Sequence, residues 1–132
     1  MMYGLLMAHS GWRWLVILAG LVFLVRMLWG WFGKDQWRPL DQRLGLILTI
    51  VVDIQVLLGI ILWIIQQRWT GANPLASFEH PFTMLLGVAI MHVGWSRAKK
   101  ADESSRFRQA ALWVAVAAVL IALGIVRIDA GG

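Results

Sequence analysis

Cysteine is absent from the 132 residues. That removes disulfides and thiolate metal ligands, and with them covalently attached c-type haem, which needs a Cys-x-x-Cys-His sequence. Any cofactor must be held by histidine, methionine, carboxylate or packing. Charge is scarce as well: charged residues make up 14% of the chain, and only seven of them are acidic. There is no phosphate-cradling glycine loop, no nucleophile–base spacing, no H-E-x-x-H pair and no nucleic-acid motif. These absences exclude ordinary soluble enzymology and a nucleic-acid partner. The length allows one domain, with no room for a separate catalytic one.

What the sequence has in abundance is hydrophobicity. Apolar residues make up 60% of it and the mean hydropathy is +0.72, against about 45–50% apolar in a soluble domain. Long apolar runs cover Leu15–Phe32, Leu44–Ile65, Phe82–Trp95 and Ala110–Val126. The third is short, and the others are near the ~17–25 residues that cross ~30 Å of hydrocarbon. Backbone groups in lipid must bond within their own element, so the runs are expected to be helices. The expectation is an all-α, integral membrane four-helix bundle, a single domain over 1–132 with spans at about 9–32, 44–66, 81–97 and 109–127. Apolar residues precede the first positive charge and no small-residue cleavage site follows, so the first span is expected to be retained. Pro39 and Asp41 read as a turn and N-cap for the second helix, and Gly71-Ala72-Asn73-Pro74 as a loop. Pro81 suits the first turn of the third helix and predicts an extended conformation for His80.

The formal charge of +5 sits at the ends of the apolar runs, where it orients the chain. Lys34, Arg38 and Arg43 lie at the first connection and Arg97, Lys99, Lys100, Arg106 and Arg108 at the third, whereas the second carries only Arg68. Basic loops stay in the cytoplasm, so both termini are expected outside it, in a bacterial inner membrane crossed several times. The tryptophans divide accordingly, with Trp12, Trp14, Trp63 and Trp69 as an outer belt and Trp29, Trp31, Trp37, Trp95 and Trp113 as an inner one.

Ionisable groups inside spans are costly, so each is a functional candidate. His9, near the start of the first helix, and His80, at the start of the third, fall at the same outer level. Two neutral imidazoles on facing helices are the axial ligands of a b-type haem. Arg13, one turn below His9, can pair with a propionate, and Arg68 can do so from the loop. Met84 and Gly87 share a stripe with His80, where glycine leaves room for a flat ring and methionine packs on it. The competing reading is that both histidines are interfacial groups bonding loop backbone. Asp53 and His92 fall together at a deeper level, about 18–20 Å below the outer face. That pair suits a proton path or a quinone headgroup, and equally a hydrogen bond joining two helices. Arg26 is expected to snorkel to the cytoplasmic interface, and Glu79 to orient His80 or cap its helix.

His9-Ser10-Gly11-Trp12-Arg13-Trp14 at the first span, Glu79-His80-Pro81 at the third, and Arg97-Ala98-Lys99-Lys100 closing it resemble a family of small four-helix bacterial membrane proteins labelled cytochrome b-like or uncharacterised. The resemblance covers nearly the whole chain. It implies His9, Arg13 and His80 as haem-site residues. The leading expectation is a b-type cytochrome-like subunit, an electron carrier and not a complete enzyme, with haem b between His9 and His80. The first alternative is a cofactor-free accessory subunit of a larger respiratory or photosynthetic membrane complex. The second is a copper-handling protein using His9, His80, Met7 and Met84, ligand types that suit Cu(I). The expected partners are the bilayer, a larger membrane complex or a second copy of the chain, and a quinone.

Overall fold

The computed structural model describes residues 1–131. Four long helices account for most of them: α1 (Met2–Phe32), α2 (Pro39–Ile65), α3 (His80–Lys100) and α4 (Glu103–Gly131), with a 3₁₀ turn at Arg68–Thr70 and a π-helical turn at Leu75–Glu79. No strand occurs among the described residues. Helices α1, α2 and α4 are each long and apolar enough to cross a membrane. Helix α3 is the least apolar of the four, since its 21 residues include two histidines and end on Arg97, Lys99 and Lys100. The α1–α2 and α3–α4 connections lie at one end of the bundle, here the basic end. The opposite end holds both termini and the α2–α3 connection, and is here the histidine end.

Helix α1 begins at Met2, because Tyr3–Ala8 continues its apolar run and carries His9 inside the helix. Helix α2 begins at Pro39, whose missing N–H costs nothing in a first turn. Its N-cap is Arg38 and not Asp41. Asp41 sits one turn in and reaches back to accept the Arg38 backbone N–H at 2.8 Å. His80 is also not extended: its φ of −62° and ψ of −54° are helical, although a residue before proline usually avoids that region. A π-helical turn leads into it, with the His80 N–H bonded to the Leu75 carbonyl. Pro81 has no N–H for the carbonyl of Ser77, and that carbonyl instead accepts the Trp63 indole N–H at 2.7 Å.

The core is concentrated toward the basic end. Phe23 and Met27 of α1, Leu48 and Val52 of α2, Met91 and Trp95 of α3, and Phe107, Ala110 and Val114 of α4 form one buried cluster. Aromatic rings fill notches left by glycine: a Cβ on Gly45 would overlap the Trp95 ring, and one on Gly30 would overlap Phe107. Trp95 is therefore core and not an interfacial belt residue, with 6% of its surface exposed. Trp12 turns inward too, and its indole donates to the Val51 carbonyl of α2 at 2.7 Å. Trp14, Trp29 and Trp69 stay exposed on the outer surface.

Candidate functional site

His9 is held from two sides. Its backbone carbonyl accepts the Gln55 side-chain N–H at 2.8 Å. Its ring lies on Gly59, so close that an added Cβ would come within 3.1 Å of Cε1. His80, the first residue of α3, places its ring beside the backbone of Gly124 on α4. The two histidines share one end of the bundle, on helices α1 and α3, each of which packs against both α2 and α4. Each keeps its Nδ1 buried with no hydrogen-bond partner. The other buried, partnerless side-chain atoms among the described residues are Arg13 Nε, Gln55 Oε1 and Ser77 Oγ. All five belong to the histidine end. Proteins rarely leave such atoms unpaired, and where they do a ligand, ion or water usually supplies the partner.

Two imidazoles define what could be held. No three His, Cys, Asp or Glu side chains gather as a metal site among the described residues, so a closed tetrahedral zinc site has no ligand set here. Two imidazoles suffice for an iron that brings four porphyrin nitrogens with it, and nitrogen donors of this kind also suit copper. The donor chemistry therefore fits an axial pair.

The other residues expected around a haem are engaged elsewhere. The Arg13 guanidinium pairs with Asp129 near the end of α4 at 3.2 Å and lies over the Trp14 ring. Arg68 bonds Gln66. Met84 packs on Gly124, and Gly87 faces Ile121 and the Ala117 carbonyl, so both serve the α3–α4 contact. Glu79 holds the N-cap position of α3 but makes no side-chain cap hydrogen bond and none to His80; its carboxylate pairs with Arg127 at 3.0 Å. A cleft of about 220 Å³ opens between α3 and α4 beside His80, with the Glu79–Arg127 pair among its walls.

Asp53 and His92 meet across α2 and α3, with His92 Nε2 2.7 Å from Asp53 Oδ1. The pair lies on the surface of the bundle: the two side chains are 52% and 44% exposed. Gln55, two residues on, faces α1 instead.

The basic end holds a network that the sequence did not announce. Arg26 does not snorkel outward. Its Nε and a terminal nitrogen grip both oxygens of the fully buried Asp41 at 2.6 and 3.2 Å, and its other terminal nitrogen reaches Asp35 at 2.9 Å. The guanidinium also lies over the Phe107 ring. Every long element at that end except α3 is thereby tied to one side chain. Arg26, followed by the Gln36 backbone N–H, holds the Asp35 carboxyl below its ordinary range. The only signal in the sequence is an arginine inside one apolar run and an aspartate just before the next, fifteen residues apart.

Comparison with protein-family models, with curated proteins and with solved structures yields no match.

Proposed function

We propose that the chain is a four-span protein of a bacterial inner membrane with both termini outside the cytoplasm, and that it serves as a b-type cytochrome-like electron-transfer subunit with His9 and His80 as axial ligands. The observation that carries this reading is the pair of half-buried imidazoles at one end of the bundle, each with a buried, unpartnered Nδ1. The basic residues of the first and third connections support the orientation. The 21 residues of α3 rise about 31 Å, enough to cross hydrocarbon beside its more apolar neighbours.

A haem bound there supplies a one-electron couple whose potential follows its axial ligands and surroundings. The residues of this chain do the rest. Gly59 and Gln55 fix the position of His9 on α2, and the π-helical turn sets the direction in which His80 leaves the end of α3. Imidazole coordinates in its neutral form, through whichever ring nitrogen is left without a proton. The Arg13–Asp129 pair covers the same end with an ion pair that leaves little net charge.

The deciding measurement is the visible spectrum of the detergent-purified protein made with ample haem. A Soret band that shifts on dithionite reduction is expected, and it should vanish in His9→Ala and in His80→Ala while surviving in His92→Ala. Absence of the band would sink the haem reading. Colourless protein that binds Cu(I) through the same two histidines would replace it with the copper one. The accessory-subunit reading draws on a different observation, the exposed Asp53–His92 pair. It gains if the chain purifies only with larger subunits and no pigment belongs to it.

A further inference from the structure

We infer that the face bearing Asp53 and His92 joins two copies of this chain about a twofold axis along the bilayer normal. The inference rests on the bilayer reading above and is independent of what His9 and His80 hold. Asp53 is at the middle of α2, a helix long and apolar enough to cross a membrane, so about 20 Å of helix separates it from either end. Ionisable groups at such depth normally face the protein interior or a watery cavity. This pair faces outward, with about half of each side chain exposed. A polar partner has to meet it there.

The chemistry of the pair says which partner. Nε2 and Oδ1 face each other across the 2.7 Å contact. That leaves Nδ1, which donates when it carries a hydrogen, and Oδ2, a carboxyl oxygen that accepts, available to other partners. Each chain thus presents one donor and one acceptor side by side at a single depth. A half-turn about the membrane normal preserves depth, so His92 Nδ1–H of each copy can meet Asp53 Oδ2 of the other. Widely unequal depths would forbid that pairing, and the 2.7 Å bond within the pair keeps the two side chains near one level.

The surroundings suit a helix partner. Leu46, Ile50, Leu57 and Ile60 are exposed and continue the three–four spacing through Asp53, the pattern of a helix-packing seam. Ala89, one turn from His92 on α3, is exposed and small enough to let another helix approach. One polar group within an apolar seam fixes register, as a buried asparagine does in coiled coils.

Freedom from cysteine makes this face easy to probe. In the full chain reconstituted into phospholipid vesicles, Leu57→Cys should give a disulfide-linked dimer on mild oxidation. Val22→Cys, on the outward face of α1, should give about tenfold less, and adding Asp53→Leu to Leu57→Cys should lower the yield by a similar factor. Wild-type protein labelled at its N-terminus should show energy transfer between copies at high lipid dilution, abolished by excess unlabelled chain. Equal cross-linking at positions 22 and 57, no energy transfer in the wild type, or a different subunit seated on this face would each overturn the dimer. Alkaline extraction of the same vesicles separates the two levels of failure: chain retained by the bilayer but monomeric refutes the dimer alone, whereas chain released into solution refutes the bilayer reading with it.

Discussion

The two ends of the bundle solve opposite problems with similar residues. At the basic end a buried charge is fully partnered: Asp41 accepts from Arg26 and from the Arg38 backbone, and glycines are filled by Trp95 and Phe107. At the histidine end five buried polar atoms have no partner, and the buried core cluster does not extend there. The end with every buried group satisfied holds the fold, and the end with groups left over is where the proposed ligand would bind.

The strongest way to break that division is at Asp41. Asp41→Ala empties a fully buried position and takes from the part-exposed Arg26 its main partner, leaving it Asp35, and from the Arg38 N–H its acceptor, a loss of about 1–3 kcal/mol. Denaturant titration of the detergent-solubilised protein should show a larger loss than any single substitution at the histidine end. An effect no larger than that of a surface ion pair would mean water reaches Arg26. The same substitution at two places on α2 sharpens the comparison further. Gly45→Ala drives a methyl into the buried Trp95 ring and should cost about 1–3 kcal/mol, as overpacked cores do. Gly59→Ala meets only the edge of the His9 ring and gains helix propensity, so stability should stay within about 1 kcal/mol of the wild type. Its effect should appear instead in ligand affinity at His9, read from the haem or copper titration. Equal losses from the two alanines would erase the distinction between the ends.

The smallest expected effect is in acid. Asp35 is held below its ordinary value by Arg26. A carboxyl depressed in the folded state contributes stability above its unfolded pKa of about 4, and that contribution is lost as pH falls through the depressed value. Stability followed from about pH 6 down to about pH 3 should therefore decline, and Asp35→Asn should make the decline shallower. An unchanged slope in that variant would show that Asp35 contributes nothing to the acid limb.

Height along each helix was legible in the sequence. Counting residues put His9 level with His80 and Asp53 level with His92; Asp53 and His92 do meet across α2 and α3, while His9 and His80 share the histidine end on helices that are not neighbours. Rotation about each helix axis was not legible, because it depends on which faces pack. The tryptophans show this: Trp95 and Trp12 satisfy every rule for an interfacial belt, yet one fills the notch at Gly45 and the other bonds α2. Arg13 and Met84 were expected against a cofactor and Glu79 against His80, but Asp129, Gly124 and Arg127 of α4 took those contacts. A partner that arrives tens of residues later leaves no local trace.

Only Ala101 and Asp102 separate α3 from α4. Helix α3 is the less apolar of the two and has little reason to leave water unaided, but so short a tie denies it a separate fate. In the proposed four-span arrangement the two would reach the bilayer as one hairpin, with α4, apolar enough to cross on its own, supplying the affinity and α3 arriving as its passenger.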